Sequence, residues 1–192
     1  MVVVPAEQGK NPNPFAIGKY EITVSDYSKY CLVTGNCKPI LDKNKLNDPM
    51  TGISLDDAKK YAEWLSKRTG KNYRIPTKEE WEYAAKANGE QPSTKSSINC
   101  RLELQGKVIK GTGVTSVRDG ESNGWGLYGY IGNVQEMVTN NSGGALAVGG
   151  AYSDMLSNCD ISLERPFAGL GDGATGFRIM EELETPKGTG AG

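Results

Sequence analysis

Apolar residues recur every three or four positions in three segments of the first half of the chain, which is the spacing of helices that bury one face. Each segment follows a serine or threonine with an acidic residue three positions later, the pattern of a helix capping box. The predicted helices run from near Thr23 to Gly35, from Ser54 to Gly70, and from Thr77 onward. Their predicted inward faces are Tyr27, Tyr30, Cys31 and Thr34; Ala58, Tyr61, Ala62 and Leu65; and Trp81, Ala84 and Ala85.

The second half of the chain changes to short strand patterns separated by glycine. Before the first helix, in the first half of the chain, the segment FAIGKYEIT at residues 15–23 also alternates with a period near two and predicts a strand. RLELQGKVIKG predicts a hairpin that turns at Gln105 and Gly106, and LAVGGAY and GFRIME predict later strands. Helices first and irregular strands later indicate an α+β fold. We expect one domain over residues 15–183, an irregular lead at 1–14 and a flexible tail at 184–192.

Composition narrows the classes of function. The 192 residues carry a net charge of −1, which gives no electrostatic reason to expect nucleic acid or an anionic membrane as partner. No apolar run approaches the ~18 residues of a membrane span, so we expect a soluble chain. The absence of histidine excludes Ser-His-Asp and Cys-His catalysis and any imidazole metal ligand.

The four cysteines, Cys31, Cys37, Cys100 and Cys159, are too scattered for a zinc ribbon, which needs close pairs. Two interpretations remain open. The cysteines form two disulfides, Cys31 with Cys37 and Cys100 with Cys159, or they stay buried thiols in a reducing compartment. Localisation is therefore undetermined, with a secreted or cell-surface protein expected only if the cysteines are paired.

The order of five motifs resembles the formylglycine-generating enzyme and sulfatase-modifying factor family. The motifs are FAIGKYEIT, DAKKYAEWLSKRTGKNYRIPTKEEWEYAAKA, GWGLYGYIGNVQEMV, LAVGGAYSD and GFRIMEEL, from about Phe15 to Leu183. The resemblance implies a C-type-lectin-like fold, with two or three helices on a small twisted antiparallel sheet and long loops. It also implies that the first and last strands pair.

The catalytic members of that family hold copper(I) between two cysteines a few residues apart. Cys159 lies in the corresponding region, but Glu164 stands five residues later, and Ile179 follows the GFR triplet where a cysteine is frequent in those enzymes. One thiolate cannot form a linear two-sulfur site. We therefore expect a protein that is not an enzyme.

The family motif GN(V/A)WEW contributes to a calcium site. This chain keeps Gly132, Asn133, Val134 and Glu136, but has Gln135 and Met137 where tryptophan is common. Oxygen donors suit calcium, so the resemblance implies Asn133 and Glu136 as metal ligands and calcium as the one cofactor to consider. The alternative is a buried turn held by hydrogen bonds. Arg74 and Arg178 are expected to form structural ion pairs, Arg74 with Glu79, Glu80 or Glu82.

The C-terminal half intersperses aromatic and short polar side chains, a mixture typical of adaptable binding surfaces. The predicted ligand-binding residues are Trp125, Tyr128, Tyr130, Asn140, Asn141, Tyr152, Ser153, Asp154, Asp160 and Phe167. The residue composition of this region is similar to that of variable proteins of diversity-generating retroelements. This resemblance implies a non-catalytic domain that binds a protein or another macromolecule. The alternatives are a sulfatase-modifying-factor-like module of a bacterial signalling protein and a copper-dependent formylglycine-generating oxidase.

Overall fold

The structure is a computed structural model, and it describes residues 1–7, 9, 13–90 and 95–184. The helices of this part are α1 Val24–Thr34, α2 Leu55–Thr69 and α3 Lys78–Lys86, with 3-10 turns at Ala87–Gly89 and Lys95–Ser97. The strands are β1 Val2–Val4, β2 Phe15–Ile17, β3 Tyr73–Arg74, β4 Leu102–Leu104, β5 Lys107–Lys110, β6 Gln135–Thr139, β7 Ala145–Val148, β8 Glu164–Phe167, β9 Thr175–Gly176 and β10 Met180–Glu182.

The three predicted helices are confirmed, and their predicted inward faces are buried except for Thr34 and Leu65, which are half-buried. Thr23 and Thr77 begin α1 and α3 with complete capping boxes, while glycines in the left-handed conformation end α1 and α2. At α2 the expectation of a full box is wrong. The Ser54 hydroxyl accepts the Asp57 amide hydrogen, but in the described part of the chain the Asp57 carboxylate does not accept the Ser54 amide hydrogen in return.

The first sheet has the strand order β1-β2-β10-β3, all antiparallel. The implied pairing of the first and last motifs is confirmed, because Ile17 lies opposite Met180 in the β2–β10 pair. The irregular lead expected at residues 1–14 needs correction, since Val2–Val4 pair with β2 and Val4 is fully buried. Three consecutive valines favour an extended strand, and this segment pairs with the edge of β2 that β10 does not occupy.

The predicted strand at residues 15–23 ends earlier than the alternation suggested. After Ile17, the Gly18 amide donates to the Ile179 carbonyl, and the next such link joins the Ile22 amide to the Phe177 carbonyl. Between these points the Gly18 carbonyl oxygen accepts from the Arg178 guanidinium at 2.9 Å. A buried charged side chain therefore takes the place of backbone pairing here.

The second sheet has the order β8-β7-β6-β9, in which β9 runs parallel to β6 and the other pairs are antiparallel. The described residues thus contain two four-stranded sheets rather than the single small sheet expected, although the α+β class is confirmed. The predicted hairpin at Gln105 and Gly106 is also confirmed, as β4 pairs with β5 and both turn residues have positive φ.

Two apolar clusters fill the interior of the described chain. The first lies around Tyr27, Tyr61 and Phe177 and joins α1 to α2. The second surrounds Trp81 of α3, which is fully buried, and includes Leu127 and Tyr130 from a long loop. The helical stripes are therefore core, as burial alone would select.

Both cysteine pairs form disulfides, Cys31 with Cys37 and Cys100 with Cys159, so no described cysteine is free. The expectation of a flexible tail at 184–192 lies outside the described residues except for Glu184. Among the described residues, no helix has the length and apolar character needed to cross a membrane.

Candidate functional site

A buried ion pair lies between the two sheets. Both carboxylate oxygens of Glu136 accept from Arg178, each at 2.6 Å, and the Trp81 indole N–H donates to Oε2 of Glu136 at 2.9 Å. Arg178 also donates to the Tyr128 carbonyl oxygen at 2.8 Å. Arg178 and Glu136 are essentially inaccessible to solvent, so this pair fixes β6 against the chain before β10.

Glu21 is a second buried carboxylate beside the same guanidinium. Its Oε2 lies 4.0 Å from Nη2 of Arg178, and neither carboxylate oxygen has a hydrogen-bond partner among the described residues. Burial raises the pKa of Glu21 to about 8, with Arg178 opposing this and Glu136 adding to it. The sequence analysis missed Glu21, because its role depends on residues more than a hundred positions away.

Asn133 belongs to a different hydrogen-bond network. Its Oδ1 accepts from the Thr115 amide at 2.9 Å and from Nδ2 of Asn99 at 3.0 Å, while its Nδ2 donates to the Thr115 carbonyl oxygen at 3.1 Å. With φ at +62°, Asn133 adopts the left-handed conformation that asparagine tolerates. Asn133 therefore ties the chain after Asn99 to the start of β6.

These two networks do not fit the calcium site that the resemblance implied. The Glu136 oxygens are engaged by Arg178 and Trp81, and the Asn133 side chain is engaged by Asn99 and Thr115. Within the described ranges, no group of three or more cysteine or acidic side chains could hold a metal ion. The alternative of a turn held by hydrogen bonds describes this segment.

The Cys100–Cys159 disulfide anchors a long loop, residues 149–163, which we call the stapled loop. Both cysteines are fully buried. A second tie lies beside the disulfide, where the Arg101 amide donates to the Asp154 carbonyl and the Leu156 amide donates to the Arg101 carbonyl, both at 2.8 Å. The sulfur of Cys159 is thus committed to a covalent bond, and the described chain offers no thiolate for copper(I).

The stapled loop holds four of the predicted ligand-binding residues, Tyr152, Ser153, Asp154 and Asp160. Ser153 and Asp160 are exposed, and Tyr152 is half-buried. Asp154 is not free, because its carboxylate pairs with Arg165 and accepts the Ala151 amide hydrogen at 2.8 Å. Partial burial acts to raise the pKa of Asp154, but the Arg165 guanidinium and the Ala151 amide together outweigh it and lower that pKa. Asp154 shapes the loop rather than presenting a free carboxylate.

The other predicted residues lie elsewhere. Asn140 and Asn141 form the β6–β7 turn, where the Asn140 side chain accepts the amide hydrogens of Ser142 and Gly144. Phe167 ends β8 opposite Ala145, beside that turn and at the other end of the sheet from the stapled loop. Trp125 packs edge-to-face on Tyr83. Tyr130 is only 4% exposed and belongs to the core, although it also lines the smaller of the two clefts described below.

Tyr128 forms a separate aromatic surface with a residue that the sequence analysis missed. Its ring centroid lies 5.3 Å from that of Tyr20, and the Lys19 ammonium stands 5.4 Å from the Tyr128 centroid. Arg118 lies over the other ring, 5.3 Å from the Tyr20 centroid. The predicted residues therefore fall into separate groups, on the stapled loop, at the β6–β7 turn, beside Tyr83 and beside Tyr20.

Two adjoining clefts, of about 60 and 360 Å³, lie next to the stapled loop. Both are lined by Ser97, Asn99, Thr115 and Asp119. They meet the stapled loop where the Tyr152 amide donates to the Asn133 carbonyl oxygen at 2.9 Å. Sequence reasoning missed these lining residues, although the polar, glycine-containing run from Gly111 to Ser122 predicts a loop.

Comparison with known proteins gives this architecture a family. The model of the sulfatase-modifying factor enzyme 1-like domain matches residues 3–183. The chain belongs to this family. A bovine (Bos taurus) relative, inactive C-alpha-formylglycine-generating enzyme 2, is 33% identical over 106 residues. That match covers 49% of this chain and 33% of the relative, so the chain spans about a third of the relative's length.

Solved structures share the fold of this family member at low identity. PvdO from Pseudomonas aeruginosa matches with a TM-score of 0.71 and 22% identity over 95% of this chain and 90% of that one. CarF matches with a TM-score of 0.68 and 20% identity over 89% and 87%. Treponema denticola variable protein 1 matches with a TM-score of 0.67 and 17% identity over 95% and 92%. At these identities the likeness establishes the fold.

Proposed function

We propose that the protein is a non-catalytic binding domain that presents the stapled loop and its neighbouring clefts to a protein ligand. The observation that carries this proposal is the bond between Cys159 and Cys100, since it removes the thiolate on which copper chemistry in the family depends. The bovine relative named as inactive and the solved structure named as a variable protein support the same reading.

The construction of the stapled loop suits a binding surface. Its ends leave β7 and enter β8, and its middle is fixed by the disulfide and by the Arg101 hydrogen bonds. Ser153 and Asn158 are exposed, so these side chains are not needed for the core. Because the backbone is held at several points, exposed positions can vary while binding costs little ordering entropy.

The catalytic alternative is tested with a sulfatase-derived peptide thiol. The purified protein is incubated with the peptide, copper(I) and oxygen, and peptide mass is followed with and without prior reduction of the protein. We expect no conversion to the aldehyde in either case. Copper-dependent conversion that is lost in Cys159→Ala would overturn the proposal.

The binding proposal is tested with two display libraries. One randomises Tyr152, Ser153 and Asn158 on the stapled loop, and the control randomises three exposed positions on α2, Lys59, Glu63 and Lys67. Both are selected against purified lysozyme as a test ligand, with display level as the measure of folding. We expect folded binders from the loop library alone, and an equal yield from both libraries would refute a specialised loop surface.

The resemblance to variable proteins of retroelements has its own test in the DNA around the coding sequence. We expect a near-identical repeat of the segment that encodes the C-terminal loops, differing only at adenines. Without that repeat, the reading as a retroelement variable protein would be withdrawn. The display experiment would still decide whether the loop binds.

A further inference from the structure

A separate cleft lies at the junction of α1 and α2, on elements that take no part in the stapled loop. It has a volume of about 360 Å³, within the ~300–1,000 Å³ range of small-molecule sites. Its lining residues are Tyr27 and Tyr30 from α1, Asp57 and Lys60 from α2, and Asn36 and Cys37 from the segment after α1.

The two tyrosines are built into the core but keep free hydroxyl groups. Each is only 4% exposed. The Tyr27 ring stacks on Tyr61 with centroids 5.6 Å apart, and the Tyr30 ring packs edge-on against Trp64 at 5.3 Å. No hydrogen bond joins either hydroxyl to a described residue, and the fully buried side-chain atoms without a partner are both on Glu21. The two tyrosine hydroxyls are therefore reachable by solvent, and the residues that carry them line the cleft. Because the rings pack inward, the hydroxyl ends face the cleft.

Charged groups of α2 converge on the same space. Asp57 and Lys60 line the cleft together with Tyr27. Burial, followed by the Asp57 carboxylate, raises the pKa of Tyr27 to about 12, and Lys60 opposes this effect. Asp57 is available because it does not complete the capping box of α2, unlike Asp26 in α1 and Glu80 in α3. Lys60 lies 3.4 Å from Asp57 and 2.7 Å from Asp56.

The mixture of groups selects the class of ligand. An anion would meet the carboxylate of Asp57. An organic cation would meet the Lys60 ammonium in the same cleft, and the ring of Tyr27, whose face it would prefer, stacks on Tyr61. A neutral ligand with several hydroxyl groups can accept from the phenols and from Lys60 while donating to Asp57 and to Asn36.

We propose that the cleft lined by Tyr27, Tyr30, Asn36 and Asp57 binds a neutral, hydroxyl-rich small molecule of the sugar or polyol class. The rings and the Cys31–Cys37 disulfide hold the polar groups in place, so binding does not require a rearrangement of α1 or α2. The site is independent of the proposed protein-binding surface. Failure of either proposal leaves the other standing.

The test is a titration of isotope-labelled protein, followed by NMR, with methyl glucoside, methyl mannoside and N-acetylglucosamine. We expect saturable shifts at the Asn36 side-chain amide and at the backbone amides of residues 27–37 and 57–60 with at least one sugar. Tyr27→Phe and Tyr30→Phe each keep the ring, so each should weaken binding roughly threefold to tenfold while the melting temperature changes little.

The matched control is Tyr73→Phe, which removes a tyrosine hydroxyl outside the cleft and should leave sugar binding unchanged. Parallel titrations use sodium phosphate, tetramethylammonium and N-acetylalanine amide. Absence of saturable shifts with every sugar would overturn the proposal. So would stronger binding of any of the three other probes, since that would assign the cleft to an anion, a cation or a peptide.

Discussion

The arrangement of Glu21, Arg178 and Glu136 places two carboxylates beside a single buried guanidinium. Glu136 takes both close hydrogen bonds, which leaves Glu21 at 4.0 Å with both oxygens unpartnered in the described structure. A buried carboxylate without hydrogen bonds is more stable in its protonated form. Glu21 is thus expected to hold a proton in the folded protein and to lose it on unfolding near neutral pH.

This gives a direction for the pH dependence of stability. The pKa of Glu21 rises from 4.5 to about 8 on folding, so its contribution is complete below 4.5 and is lost as pH rises toward 8. We predict that the free energy of unfolding falls across that window and that Glu21→Gln, which mimics the protonated form, flattens the slope. Urea unfolding at several pH values measures both, and an unchanged slope in Glu21→Gln would contradict the assignment.

Asp154 and Glu80 change the free energy of unfolding in the opposite direction with pH, and they do so in a lower pH range than Glu21. The pKa of Asp154 is lowered by Arg165 and that of Glu80 by Arg74, in each case against the effect of burial. Their stabilising contributions are present above the unfolded values and are lost as pH falls through the folded values. The Glu21 effect is therefore separable from ordinary acid unfolding.

The start of α3 combines a local signal with a long-range one. Thr77 and Glu80 form the capping box that the sequence predicted, and Glu80 also accepts two hydrogen bonds from Arg74, at 2.8 and 2.6 Å. Arg74 in turn donates to Glu182 of β10 at 2.6 Å. The cap therefore joins α3 to the first sheet.

We predict that Thr77→Ala lowers the free energy of unfolding by about 1 kcal/mol, because the Glu80 amide loses its side-chain acceptor. Thr77→Ser keeps a hydroxyl at the same position and should recover most of that loss. Chemical denaturation of the three proteins measures the difference. Equal stability of the alanine and serine variants would show that the hydroxyl is not what stabilises this helix start.

The two disulfides act over very different lengths of chain. Cys31 and Cys37 are separated by 6 positions, whereas Cys100 and Cys159 are separated by 59 and join the end of the helical half to the stapled loop. A cross-link that closes a longer loop removes more conformational freedom from the unfolded chain. The longer disulfide is therefore expected to dominate the stability of the whole domain.

We predict a loss of roughly 4 kcal/mol for the double variant Cys100→Ala with Cys159→Ala, and roughly 2 kcal/mol for Cys31→Ala with Cys37→Ala, from the chain-entropy relation. The second variant is the matched control, since it also replaces two sulfurs by smaller groups. Denaturant unfolding measures both. A larger loss in the control would contradict the assignment of the longer cross-link as the principal one.

The sequence alone determined the elements whose signals are local. Thr23, Ser54 and Thr77 mark helix starts because capping depends on residues three positions away, and Gln105 with Gly106 marks a turn because the conformation is intrinsic to those residues. The motif order also identified the family and hence the pairing of β2 with β10.

Only the tertiary structure decided which groups meet. It engaged Glu136 with Arg178 instead of in a calcium site shared with Asn133, paired Asp154 with Arg165, buried Tyr130 and divided the predicted binding residues among separate regions. It also placed Asp57 in the lining of the same cleft as two tyrosines of α1. These outcomes depend on burial and on charges brought together from distant parts of the chain, and a carboxylate has the same letter in the sequence whether it is solvated, paired or protonated.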